Sequence, residues 1–378
     1  MGGNKLSVLI IDKRGEDHKL LKDYLHSMEI NRIHFTSTTE EALKDLAESP
    51  AKTELIIYDY APSSISKAQL MNSLGLLVEL VDIPIILLTP LNDRSIVEKA
   101  FEIGIYDFIS KPIDYIHFKA RIYASIKYRN ETRIRKNNEY SFQTDLAIAK
   151  KIQKHAFTPS LYGKKIHIHG INIPTNKLGG DMYSWYQIDE NLFAIMLFDV
   201  MGHGIASSLV AMSIRSLLKG MITRLIDPVI VINELNRHIY ELFADEEDMQ
   251  SFLLTAIYVV IDTKNGQVQY VNAANPHGFI YGKYGEVIKL PSTTTILGLL
   301  PTIDAHKKTL SLKGWHRIIL YTDGLFALSD KNDLSIKLFH PYLSDDNSKA
   351  LTDFTSDYYL HQRQHDDDIT IVSITINV

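Results

Sequence analysis

Leu192-Phe193-Ala194-Ile195-Met196-Leu197-Phe198-Asp199-Val200-Met201-Gly202-His203-Gly204 decides how the second half of this chain is read. Its apolar run reads as a β-strand and ends on an acid. Gly202 and Gly204 let the backbone turn closely before a helical stretch from Ile205 to Thr223. Three more short motifs on either side carry an aspartate each. Asp181 lies in Gly179-Gly180-Asp181. Asp323 lies in Tyr321-Thr322-Asp323-Gly324, after the apolar run Arg317 to Tyr321. Asp367 lies in Asp367-Asp368-Ile369-Thr370, before the run Ile369 to Ile376. Carboxylates at strand ends can converge on one rim of a sheet. Clustered carboxylates repel unless hard cations neutralise them, and Mg²⁺ or Mn²⁺ prefers oxygen ligands. The pattern predicts a dinuclear metal hydrolase site.

These four motifs, in this order, resemble the PPM-type protein serine/threonine phosphatases, in their bacterial stress-response and sporulation branch. The resemblance runs from about Leu146 to the C-terminus. It implies an α/β/β/α sandwich of two antiparallel sheets. It implies that Asp181 and Asp199 bridge two Mn²⁺ or Mg²⁺ ions, helped by the Val200 backbone carbonyl, and that Asp323 and Asp367 complete the second metal. The substrate class it implies is a phosphorylated partner protein, such as an anti-sigma-factor antagonist in a partner-switching pathway. Asp366 and Asp368 flank Asp367, so the register of that ligand is open by one residue. Ser184 stands where many members have a second aspartate and Ala327 where they often have glutamate. Asn272-Ala273-Ala274-Asn275 replaces the usual Asn-Ala-Gly-His. His203 reads as a loop-structuring residue. His167 and His169 alternate on one strand, which favours an exposed strand face over a metal pair.

Strands are expected at Ile166 to Ile173, Leu192 to Val200, Phe252 to Ile261, Gln267 to Asn272, His316 to Tyr321 and Ile369 to Ile376. Asn265-Gly266 marks a hairpin between two of them. Helices are expected at Ile205 to Thr223, Pro228 to Phe243 and roughly Ser348 to Arg363. The polar segment Ser329 to Ser348 reads as a variable insert.

The first 126 residues follow another pattern. Apolar runs Leu6 to Ile11, Ile33 to Phe35, Leu55 to Tyr58, Ile83 to Leu88 and Phe108-Ile109 alternate with helical segments. That alternation implies a doubly wound parallel sheet, with its ligand site at the carboxyl ends of the strands. Asp12, Asp59, Thr89 and Lys111 all fall there. The arrangement resembles a CheY-like response-regulator receiver. The resemblance implies Asp59 as phosphoacceptor, Thr89 as switch hydroxyl and Lys111-Pro112 as the lysine and its cis-proline, with a sensor histidine kinase as phosphate source. The family's second acid, normally a Mg²⁺ ligand beside Asp12, is here Lys13, and Pro62 comes one residue early after Asp59. Two readings stay open: a phosphorylatable input domain with Mg²⁺, or a pseudo-receiver in which Lys13 pairs with Asp59.

Between the two lies a connector, 127–157, inside a stretch from Ile116 without proline or glycine until Pro159. It reads as helical and strongly basic in its middle. It can act as a signalling helix in a homodimer formed through it or the receiver, or as a solvated spacer. The expected organisation is receiver 1–126, connector 127–157 and phosphatase domain 158–378.

The 378 residues suffice for two ordinary domains, and 45% hydrophobic content excludes a disordered chain. Net charge is −5, with Lys and Arg dispersed, which argues against a nucleic-acid surface. No cysteine is present, which excludes thiolate metal sites and suits a reducing compartment. No stretch reads as a membrane span, so the cytoplasm is the expected location. The competing class is a non-catalytic adaptor that keeps a phosphatase fold as a binding surface. A DNA-binding regulator is disfavoured, because no helix-turn-helix follows the receiver.

Overall fold

The computed structural model describes residues 6–48, 53–90, 94–243, 252–328 and 367–377. Contacts divide the chain into two units, Met1–Phe142 and Gln143–Val378. In the first, β1 (Ser7–Ile11), α1 (His18–Ser27), β2 (Arg32–Thr36), α2 (Thr39–Glu48), β3 (Leu55–Asp59), α3 (Lys67–Leu80), β4 (Ile85–Pro90), α4 (Arg94–Ile103) and β5 (Asp107–Lys111) alternate strictly. The helix α5 (Tyr115–Ala156) follows. The strands pair in parallel in the order β2-β1-β3-β4-β5. Successive side chains of a strand point to opposite faces. Val8 and Ile10 of β1 therefore pack with Leu21, Leu25, Phe118 and Ile122 on one face. Leu9 and Ile11 pack with Leu70, Leu74 and Ala100 on the other. Burial on both faces is why β1 and β3 read as unbroken apolar runs. Ser66 starts α3 with a capping box: its hydroxyl accepts the Gln69 amide while the Gln69 side chain accepts the Ser66 amide. The Lys111-Pro112 peptide is cis, as expected.

The second unit contains β6 (Leu161–Tyr162), β7 (Ile166–Ile173), β8 (Asp181–Gln187), β9 (Leu192–Val200), α6 (Ile205–Leu225), α7 (Pro228–Leu242), β10 (Leu254–Asp262), β11 (Gln267–Ala273), β12 (Gly278–Gly282), β13 (Val287–Leu290), β14 (Lys308–Ser311), β15 (Trp315–Tyr321), a 3-10 turn (Asp323–Leu328) and β16 (Ile369–Asn377). They form two antiparallel sheets, ordered β14-β11-β10-β9-β8 and β13-β12-β15-β16-β7-β6. Phe193, Ile195 and Leu197 of β9 meet Ile318, Leu320, Val372 and Ile374 in a core between the sheets. Ala194, Met196 and Phe198 face the opposite way, against Ile214, Leu218 and Ile222 of α6 and Val231 and Leu235 of α7. Both faces of β9 are buried, so its sequence does not alternate.

Gly204 opens α6 at φ 101°, a conformation that requires glycine. Asp227 caps α7 by accepting the amides of Val229 and Ile230, with Pro228 at the first helical position. By length and composition α6 could cross a membrane, the one such helix among the described residues. Its apolar side instead covers β8 and β9. The hairpin at Asn265-Gly266 forms between β10 and β11, with Gly266 at φ 65°. Strands β6, β8, β12, β13 and β14 were not among the expected ones. The helix expected at 348–363 and the insert at 329–348 lie outside the described residues.

Candidate active site

Antiparallel pairing assembles the acids. Asp181 is the first residue of β8 and lies directly opposite Asp199 near the end of β9. Like charges in facing positions destabilise a sheet unless something neutralises them. In the other sheet β15 ends at Tyr321, two residues before Asp323, and β16 starts two residues after Asp367; the strands pair with Tyr321 opposite Ile371. Thr322 joins the sheets: its hydroxyl donates to Asp181 Oδ2 at 2.7 Å and accepts the Thr370 amide at 2.9 Å.

Close backbone approach requires the glycines here. A Cβ on Gly180 would come within 2.6 Å of the Val200 carbonyl oxygen, so that oxygen faces the start of β8. A Cβ on Gly324 would collide with the Asp368 carbonyl. Gln153, near the end of α5 and 6% exposed, clamps Gly179 from the other side. Its Nε2 donates to the Gly179 carbonyl at 2.7 Å, and its Oε1 accepts the Gly179 amide at 3.3 Å. Asn275 Nδ2 donates to the Tyr321 carbonyl at 3.1 Å, and Asn272 Oδ1 accepts the Asn275 amide at 2.9 Å. The Asn272–Asn275 turn thus holds the backbone leading to Asp323. Ala274 in that turn sits at φ 54°, in the left-handed region that favours glycine. His203 is exposed and its Nδ1 lies 2.9 Å from Asn176 Nδ2, which is the loop-structuring role expected of it. His169 Nδ1 lies 2.7 Å from the Ser160 hydroxyl.

Asp181 is buried, and its Oδ1 has no hydrogen-bond partner. Burial first, then the Asp199 charge, holds its carboxyl well above the usual range. Burial, then Asp323 and Asp367, pushes Asp199 up to about 7. Asp323 is open to solvent on one side, but the surrounding protein and then Asp367 raise it too. Among the described residues no three Asp, Glu or His side chains stand close enough to ligate one ion together. The four acids share an edge rather than a finished coordination sphere. The donor set of carboxylates plus the Val200 carbonyl, with an orphaned buried oxygen on Asp181, fits a hard divalent cation.

In the first unit the expected residues come together differently. Lys111 Nζ lies 2.5 Å from Asp59 Oδ1 and 2.7 Å from Asp17 Oδ2. Lys13 does not pair with Asp59; its ammonium donates to the Ser64 carbonyl at 3.2 Å. Asp12 accepts the amides of Arg14 and Gly15 and lies 3.2 Å from His18 Nε2. Thr89 is buried with its hydroxyl unpartnered. Burial, opposed by Lys111 and reinforced by Asp12 and Asp17, raises Asp59 to about 6. Sequence reasoning passed over Asp17, Thr322 and Gln153. Asp17 sits just before a helix, where an acid is usually a cap, and nothing local marks its reach to Lys111.

The SpoIIE family (Stage II sporulation protein E) matches residues 189–377, and the response regulator receiver domain matches residues 8–123. The phosphoserine phosphatase RsbP of Bacillus subtilis (strain 168) is 32% identical over 237 residues, covering 61% of this chain and 58% of that protein. Protein IcfG of Synechocystis sp. is 23% identical over 180 residues, covering 42% of this chain and 28% of that protein. The chain thus spans less than two thirds of the length of either curated relative. The SiaA-PP2C domain of Pseudomonas aeruginosa shares the fold of the second unit. It has a TM-score of 0.54 at 17% identity, over 64% of this chain and 98% of that one. The receiver match covers the parallel-sheet unit and the SpoIIE match covers most of the antiparallel-sheet unit, and the chain belongs to the SpoIIE family, with a response regulator receiver domain ahead of its PP2C-type phosphatase domain.

Proposed function

We propose that this chain is a response regulator whose output is metal-dependent dephosphorylation of phosphoserine or phosphothreonine on a partner protein. One observation carries the reading: Asp181 and Asp199 face each other across β8 and β9, with Asp323 and Asp367 acting on Asp199 from the other sheet. Such an edge repels a phosphate dianion unless cations intervene. Asp181, Asp199 and the Val200 carbonyl would hold Mn²⁺ or Mg²⁺ at one position, with Asp323 and Asp367 completing a second. When bound, such ions supply Lewis-acid charge and an acidified water. The chain's own part is placement. Thr322 fixes one oxygen of Asp181 and leaves the other free to bind, while Gly180 admits the Val200 carbonyl.

The name of the Bacillus relative supports a phosphoserine substrate. An anti-sigma-factor antagonist is the protein class proposed, with a sensor histidine kinase acting on Asp59. Exposed Ile134, Phe142, Ile148 and Ile152 along α5 suit a homodimer through that helix. The cysteine-free composition supports a cytoplasmic location.

The test is hydrolysis of 4-nitrophenyl phosphate and of a phosphoserine peptide by the full chain, with Mn²⁺ and after chelation. Turnover that needs Mn²⁺ and falls at least about 100-fold in both Asp199→Asn and Asp323→Asn is expected. Metal-independent turnover, or near-normal rates in both variants, overturns the reading; absence of turnover favours the adaptor.

A further inference from the structure

Asp368 is 2% exposed, and among the described residues neither Lys nor Arg is a partner of its carboxylate. A buried carboxylate is costly unless its oxygens are satisfied. Here each oxygen is taken by one backbone amide. Oδ1 accepts from Thr175 and Oδ2 from Gly180, both at 2.7 Å. Those amides belong to the loop that leads into β8 and delivers Asp181. The glycines are shaped around this carboxylate, since a Cβ on Gly179 would come within 2.5 Å of Asp368 Oδ2. The backbone of Asp368 is engaged as well. Its amide donates to Asp367 Oδ1 at 2.8 Å, and its carbonyl lies 3.5 Å from the Thr322 hydroxyl that holds Asp181. One residue therefore touches the supports of both Asp181 and Asp367, which come from different sheets.

We propose that Asp368 is a positioning residue. It clamps the Thr175 and Gly180 amides so that Asp181 enters β8 opposite Asp199 with its carboxylate aimed at the shared edge. Two amides converging on one side chain need an acceptor on both arms, which Asp supplies. Asn would turn an NH₂ group against one of them. The inference rests on the phosphatase reading for its consequence, but not for the clamp itself.

The test uses the full chain and Asp368→Asn. Residues that orient metal ligands typically change metal affinity by about 10–100-fold when altered. The variant is expected to need about tenfold more Mn²⁺ for half-saturation, read from the electron paramagnetic resonance signal of free Mn²⁺. The Gly180 and Thr175 amides should exchange with deuterium at least about tenfold faster than in the parent. At saturating Mn²⁺ most of kcat should return, with KM for the phosphopeptide within about twofold. Unchanged Mn²⁺ binding and unchanged amide exchange overturn the proposal. So does a lowered melting temperature with parental Mn²⁺ affinity, because the residue is then only structural. Should the variant not fold, amide exchange in the parent decides, and unprotected Gly180 and Thr175 amides overturn the clamp. A parent that binds no Mn²⁺ and hydrolyses nothing overturns the phosphatase reading and the positioning role with it, whereas a protected Gly180 amide would still leave the clamp standing.

Discussion

At the scale of single residues, charge placement in the receiver has a measurable consequence. Asp59 titrates near 6 in the folded chain against 3.8 for the free group, mainly because it is buried. A carboxyl whose folded pKa is raised binds more protons folded than unfolded between those values, so stability falls as pH rises through that window. The cost is absent below the unfolded pKa and complete above about 6, on the order of 2–3 kcal/mol at most. Asp59→Asn removes that cost and leaves Lys111 paired with Asp17. The difference in unfolding free energy between variant and parent, measured in chelator from pH 4 to 7.5, should grow with pH and flatten above about 6.5. A difference independent of pH refutes this account. Ala274 offers a second measurement. Its φ of 54° costs an alanine about 1–2 kcal/mol, whereas glycine adds only about 0.5–1 kcal/mol of unfolded-state entropy. Strain wins, so Ala274→Gly should stabilise the chain by roughly 0.5–1 kcal/mol in urea denaturation. A loss of stability would mean that the turn is unstrained.

At the scale of elements, the Gln153 side chain near the end of α5 reaches the backbone just ahead of Asp181. Gln153 satisfies both backbone groups of Gly179, two residues before Asp181. Gln153→Ala leaves a buried carbonyl and amide unpaired, about 1–3 kcal/mol for such a group. If that energy appears as misplacement of β8, kcat at moderate Mn²⁺ should fall about tenfold while helix content by circular dichroism stays constant. An unchanged kcat would make Gln153 only a packing residue. Strand β8 itself shows where local reading fell short. Its Asp181-Met182-Tyr183-Ser184-Trp185-Tyr186-Gln187 buries the first five residues, polar and apolar alike. Alternation is lost, because Met182 packs toward the helices and Tyr183 and Trp185 lie in the core between the sheets. Ser184 is fully buried with its hydroxyl unpartnered.

At the scale of the whole molecule, a receiver and a phosphatase domain share one chain, and α5 runs from Tyr115 to Ala156. Coupling between two such units is typically about 1–3 kcal/mol, or 5–150-fold. The turnover of the full chain and of residues 143–378, compared at matched concentration and with masses from light scattering, should differ by several-fold. Equal kinetics and equal oligomeric state would leave the receiver only a recruiting role.

The sequence by itself determined the two architectures and which acids lie at strand ends. Runs buried on both faces, such as Leu192 to Phe198, can be little else than central strands. Acids that end or precede such runs are confined to a sheet edge by covalent connection alone. That is why Asp199, Asp323 and Asp367, and in the receiver Asp59 and Lys111, were legible as neighbours of strand ends. Tertiary structure alone decided which acids face one another and what holds them. The Asp181–Asp199 register, the Thr322 bond across sheets, the Asp368 clamp and the turn of Lys111 toward Asp17 join residues up to 193 positions apart. Contacts of that kind depend on how sheets and loops are stacked, and no local period in the chain encodes them. The same holds for Lys13, whose position beside Asp12 suggested a partner in Asp59. Its flexible stem lets it reach the Ser64 carbonyl instead, while Lys111 occupies the acid pocket.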